Sequence, residues 1–236
     1  MTKILNMRKF LSLLILAIVI AGCNSTSETI TETQEFQYSY LALGDSYTIG
    51  ESVAPELRWP VQLVEGLNER GFKVAPPKIV AKTGWTTEDL NREIQKEVDV
   101  QRDFDLVSIL IGVNNQYQGK TLDEYEEELN EIFRKAINHS KRLEKGVFAV
   151  SIPDYGVTPF GQANAEEIAA EIDAFNAVFK RVAEEHNVDF YNITPISRQA
   201  ADNPALIAND NLHPSGLMYQ YWVEEIIDEV AAKLPQ

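Results

Sequence analysis

Cysteine is almost missing from this sequence: Cys23 is the only one in 236 residues. An internal disulfide is therefore excluded, and the domain must draw its stability from a hydrophobic core. Histidine is nearly as scarce, with three residues and no pair at metal-ligand spacing, so no metal site is expected. Positive charge is short too: 21 Lys and Arg stand against 36 Asp and Glu, a formal net charge of -15. Such a surface repels phosphate backbones, which argues against a nucleic-acid partner. It would also be repelled by anionic lipid, so membrane attachment needs a hydrophobic anchor. Gly44, Gly50 and Gly84 do not form a phosphate-cradling loop, and nothing else calls for a nucleotide or another cofactor.

An anchor is legible at the start of the chain. Lys3, Arg8 and Lys9 make a basic opening, and Phe10 to Ala21 is apolar apart from Ser12. This is the layout of a secretory signal peptide, and it is too short for a spanning helix. The run ends in Ile20-Ala21-Gly22-Cys23, which resembles a bacterial lipobox. The resemblance implies cleavage after residue 22 and a diacylglyceryl group on Cys23. Residues 23–37 are rich in Ser, Thr and Glu without apolar periodicity and read as a solvated tether. Residues 38–236 are then one domain with a full-sized core.

From Tyr38 onward, strand and helix signals alternate. Strands are expected at Tyr40 to Leu43, Lys78 to Ala81, Phe104 to Ile111, Gly146 to Ile152 and Val188 to Ile193. Between and after them lie amphipathic helices at Trp59 to Arg70, Glu88 to Val98, Leu122 to Leu143, Ala163 to His186 and Ser215 to Leu234. Thr86 and Thr87 are cap candidates for the second helix. This alternation predicts a three-layer α/β/α sandwich on a five-stranded parallel sheet, with a flavodoxin-like strand order leading. His139 and His186 sit near helix ends among polar residues and read as solvated or as favouring the helix dipole.

The strand ends carry the chemistry-bearing residues. Gly44-Asp45-Ser46 follows the first strand, Thr83-Gly84-Trp85 the second, and Gly112-Val113-Asn114-Asn115 the third. Asp210-Asn211-Leu212-His213-Pro214 stands near the C-terminus. Each is ordinary turn chemistry taken singly. Together they supply what acyl transfer needs: a nucleophile, a base, an orienter for that base, and oxyanion donors. Ser46 is the candidate nucleophile, His213 the base and Asp210 the orienter. Gly84 offers an unobstructed N–H, Asn114 a side-chain amide and Ser46 its own N–H. Tyr47 to Leu57, Asn115 to Thr121 and Pro153 to Gly161 should rim the site. Within or beside these loops, Tyr47, Trp85, Tyr117, Tyr155 and Phe160 are candidates for an apolar wall.

These four blocks, in this order, resemble the SGNH (GDSL-type) hydrolases over nearly the whole domain. The resemblance implies a flavodoxin-like fold and a serine esterase mechanism. It assigns Ser46 as nucleophile, Ser46, Gly84 and Asn114 as oxyanion donors, and Asp210 with His213 as the base pair. Asn115 departs from the aspartate common in the family, a change that bears on how the Asn114 loop is braced. Within the family, the chain is similar to small bacterial lysophospholipase-like and acyl-ester hydrolases. The expected protein is an extracytoplasmic ester hydrolase, lipid-anchored to a cell-envelope membrane and acting on a small ester, either a lipid or an acylated glycan. A lipid-tethered binding protein and an acyltransferase are the alternatives on the same fold.

Overall fold

The computed structural model describes residues 35–97 and 103–235. The signal-peptide segment, Cys23 and most of the tether lie outside these residues, as does Val98 at the end of the expected second helix.

Five parallel strands form one sheet: β1 Tyr40–Gly44, β2 Lys78–Ala81, β3 Leu106–Leu110, β4 Val147–Val150 and β5 Asp189–Tyr191. Their order is β2-β1-β3-β4-β5, the flavodoxin-like arrangement. The three central strands are buried along their whole length, whereas β2 and β5 at the edges are partly exposed. That is why the centre of the sheet reads as nearly continuous apolar sequence. β1 lies between β2 and β3, with Gly44 level with Ala81 and Leu110.

The helices are α1 Ser46–Ile49, α2 Trp59–Glu69, α3 Thr87–Glu97, α4 Val113–Tyr117, α5 Leu122–His139, α6 Ala165–Glu185, α7 Thr194–Arg198 and α8 Gly216–Ala232. α2 packs on α8, while α5 packs on both α3 and α6, giving the two outer layers. The start of α5 is fixed by a reciprocal capping box between Thr121 and Glu124. Its stripe of Tyr125, Leu129, Ile132, Phe133 and Ala136 is buried, the spacing an amphipathic helix requires. α3 is capped by Thr86, whose N–H and hydroxyl both reach the Asp89 carboxylate; Thr87 is already helical.

Two expected elements are cut short, α5 at its end and β3 at its start. α5 stops at His139 because the next residue, Ser140, bridges to Phe104, and Leu143 adopts a left-handed φ of 55°. β3 begins at Leu106 because Asp105 is engaged sideways: its carboxylate accepts from the Ser39 N–H, the Ser39 hydroxyl and the Lys141 ammonium, each at 2.9 Å. These contacts tie the starts of β1 and β3 together and leave the opposite edge of the sheet free for the site. His139 is buried in the last turn of α5, so the solvated reading of it is corrected. His186 is half-buried, stacked on Phe133 at 5.4 Å with its Nε2 2.9 Å from Asn130 Oδ1. Both are placed by the apolar face of α5, which runs closer to its C-terminus than the polar neighbours suggest.

Candidate active site

The turn that carries Ser46, the candidate nucleophile, begins at Gly44. A Cβ there would stand 2.5 Å from the Leu110 carbonyl oxygen and 2.2 Å from Thr48 Oγ1, so no side chain fits between β1 and β3. Asp45 caps α1, its Oδ1 accepting the Tyr47 N–H at 3.0 Å. Ser46 follows as the first residue of the four-residue helix, which Gly50 closes at a φ of 67°. Asp45 is fully buried, and its Oδ2 has no hydrogen-bond partner among the described residues. Burial pushes its carboxyl up to about 7, against the opposing pull of the Tyr47 and Gly112 N–H groups.

The loop that carries His213, the candidate base, is built around Asp210. An antiparallel bridge between Ile207 and Pro214 closes the loop, and Asn211 turns it at a φ of 62°. Asp210 Oδ1 accepts the Leu212 and His213 N–H groups, both at 3.0 Å. Its Oδ2 lies 2.6 Å from His213 Nδ1 and accepts the Ser52 hydroxyl, also at 2.6 Å. Partial burial opposes the charge on Asp210, but the bonds from Ser52, His213 and the backbone outweigh it. They hold the carboxyl well below the usual carboxylate range. The Tyr47 ring meets the imidazole edge-on at 5.8 Å, which fixes the second side of His213.

The oxyanion candidates come from β2 and β3. Gly84 has a φ of 85° and open space where a Cβ would stand. Asn114, in α4, donates one amide hydrogen from Nδ2 to the Trp85 carbonyl at 2.9 Å, leaving the other unspent. Asn115 is fully buried and spans to the next helix: its Oδ1 accepts the Thr87 N–H at 3.0 Å, and its Nδ2 donates to Thr87 Oγ1 at 2.5 Å. The asparagine that departs from the family pattern therefore joins the Asn114 loop to the Gly84 turn. Gly112 must be glycine here, since its φ is 129° and a Cβ would stand 2.5 Å from the Tyr125 hydroxyl.

Ser46, Gly84, Asn114 and His213 line one open cavity of about 260 Å³. Asp210 stands behind His213. Tyr47, Tyr117, Tyr155 and Phe160 contribute the apolar wall anticipated from sequence, joined by Val113 and Leu212. Trp85 does not line it; its role is the carbonyl that orients Asn114. Ser52 was not singled out from sequence. A serine at a left-handed φ of 64° inside a rim loop has no local signature, and only the fold brings it to Asp210.

Comparison with family profiles matches residues 42–221 to the GDSL-like lipase/acylhydrolase family. The chain belongs to that family, whose chemistry is ester hydrolysis. Among solved structures, it is similar to the psychrotrophic esterase EstA from Pseudoalteromonas sp., inhibited there by monoethylphosphonate. The TM-score is 0.64 and the identity 17%, over 83% of this chain and 98% of that one. A lipase/acylhydrolase from Enterococcus faecalis gives a TM-score of 0.66 and 23% identity, over 84% and 98%. A mutant acetyl-xylooligosaccharide esterase from Geobacillus Stearmophilus gives 0.62 and 24%, over 83% and 94%. At these identities the likeness is one of fold. A search of curated proteins finds no match.

Proposed function

We propose that this chain is a serine hydrolase of carboxylic esters that works through an acyl-enzyme on Ser46. The observation that carries this reading is the Asp210–His213 pair, 2.6 Å apart, with His213 lining the same cavity as Ser46, Gly84 and Asn114. His213 Nε2 takes the Ser46 proton as Oγ bonds to the ester carbonyl carbon. Asp210 fixes the Nδ1–H tautomer and stabilises the imidazolium that forms. The carbonyl oxygen gains charge and is held by the Ser46 and Gly84 N–H groups and the free amide hydrogen of Asn114. The intermediate collapses, the alcohol leaves with the proton from His213, and water repeats the sequence to release the acid.

The cavity wall is largely aromatic and aliphatic, and about 260 Å³ is far more than an acetyl group fills. An acyl chain of several carbons is the better match. The basic start, the apolar run and Cys23 support secretion and lipid anchoring, so the site would work at an envelope membrane. Two lipid chains or more hold such an anchor firmly.

The test is hydrolysis of p-nitrophenyl esters from acetate to laurate by the full chain in neutral detergent, with Ser46→Ala in parallel. Turnover favouring butyrate to octanoate, and lost in the variant, is expected. Folded protein without turnover at any chain length would overturn the reading.

A further inference from the structure

Beyond the reacting cavity the groove continues into a second one of about 360 Å³, and the two share Tyr117, Tyr155 and Phe160. The three rings form a nearly regular triangle, with centroids 6.4, 6.2 and 6.3 Å apart. Tyr117 and Phe160 are among the most exposed large apolar residues of the described chain, at 62% and 52%. Tyr155 is buried beneath them, so Tyr117 and Phe160 are the two rings of the triangle left open to water.

The chemistry changes across this ridge. The first cavity is apolar, and no carboxylate lines it. The second is lined by Glu167 and Glu171, one helical turn apart on α6, and by the amides of Gln116 and Asn164, with no Lys, Arg or His among its lining residues. Gln116 is 7% exposed; its Nε2 donates to Glu171 Oε2 at 2.6 Å, while its buried Oε1 has no hydrogen-bond partner among the described residues. A buried acceptor without a donor, beside two carboxylates with no cation, marks a place left electrostatically unfinished.

Resting on the hydrolase reading above, we propose that the second cavity receives a positively charged alcohol portion of the ester, an ammonium group carried over the aromatic ridge. Aromatic faces attract cations, most strongly for poorly hydrated quaternary ammonium groups, and the two carboxylates add Coulombic attraction that an anionic or neutral leaving group cannot use. The acyl part then lies in the apolar cavity beside Ser46, and the cation lies on the Glu167 and Glu171 side. A phosphate-bearing leaving group is disfavoured by the same carboxylates.

The test compares two esters of the same shape, butyrylcholine and 3,3-dimethylbutyl butyrate, which differ by a quaternary nitrogen in place of a carbon. The full chain in neutral detergent should show kcat/KM about tenfold or more higher for the choline ester. The ratio should fall as salt rises from 0.05 to 0.5 M, because charge pairing at an open site is screened. In a Glu167→Gln, Glu171→Gln double variant, with folding checked by its melting curve, the ratio should fall severalfold, to the share that the aromatic ridge supplies, and lose its dependence on salt. Equal rates on the two esters in the parent protein, or a ratio unaltered in the double variant, would overturn the inference. Failure of p-nitrophenyl butyrate hydrolysis as well would overturn the hydrolase reading itself, and this inference with it.

Discussion

The Ser46 turn and the His213 loop each hold a carboxylate beside a group proposed to react, and they treat it in opposite ways. Asp45, next to Ser46, is fully buried and receives a backbone bond on one oxygen only, so burial pushes it up to about 7. Asp210, beside His213, is partly exposed and meets four donors, so it stays ionised far into acid. Depth and donors decide the charge together: burial prevails at Asp45, and four donors overcome the shallower burial of Asp210. One carboxyl serves as a structural cap that is neutral in mild acid; the other is a permanent anion aimed at an imidazole.

The hardest break in this contrast is Asp210→Asn. The amide cannot hold the imidazole in the same tautomer or balance its positive charge. A fall in kcat of about 10⁴ with little change in KM is expected from steady-state kinetics on p-nitrophenyl butyrate. Asn114→Ala removes one oxyanion donor and should lower kcat by about 10²–10³; near-normal turnover would remove Asn114 from that role.

Asp45→Asn acts on the other side of the comparison and reads out in stability. Asp45 ionises at about 7 in the folded protein, against a usual value of 3.8. The folded state therefore binds the proton more tightly than the unfolded one. Its contribution to stability is fully retained below about pH 4, is lost as pH rises towards 7, and is constant above that. The variant lacks this loss. Urea melts at pH 4, 6 and 8 should show its stability rising relative to the parent by on the order of 4 kcal/mol, with a plateau above pH 7. A difference that is flat with pH would mean that Asp45 is ionised throughout.

Ser52→Ala sharpens the comparison most finely. It removes one of the four donors to Asp210, the only one from the nucleophile's own loop. A hydrogen bond to a charged group is worth about 1.5–3 kcal/mol, so a loss in kcat of about ten- to a hundredfold with unchanged KM is expected. A loss as large as that of Asp210→Asn would mean that Ser52 holds the whole loop in place.

Much of this arrangement was legible before any coordinates. Strong apolar runs announced the buried strands, and their order along the chain left few topologies. Ser46, Gly84, Asn114 and His213 were recoverable because each follows a strand end or stands in a compact block. What escaped depends on contacts between distant segments. Ser52 reaches Asp210 across 158 residues, and Asp105 cuts β3 short by bonding to Ser39, 66 residues away. What Asn115 braces is not legible from the sequence either, because its partner, Thr87, opens α3, 28 residues away. The tyrosine and phenylalanine wall was foreseen as a set, yet only the fold separates Trp85, which serves through its backbone, from Tyr117 and Phe160, which stand open.

The most direct test of the central claim is covalent. A fluorophosphonate should add once to the full chain, and peptide mass spectrometry should place the adduct on Ser46. Ser46→Ala should stay unmodified, and Asp210→Asn should react far more slowly than the parent. Stoichiometric labelling of any other residue, or none in a folded and intact chain, would contradict Ser46 as the nucleophile.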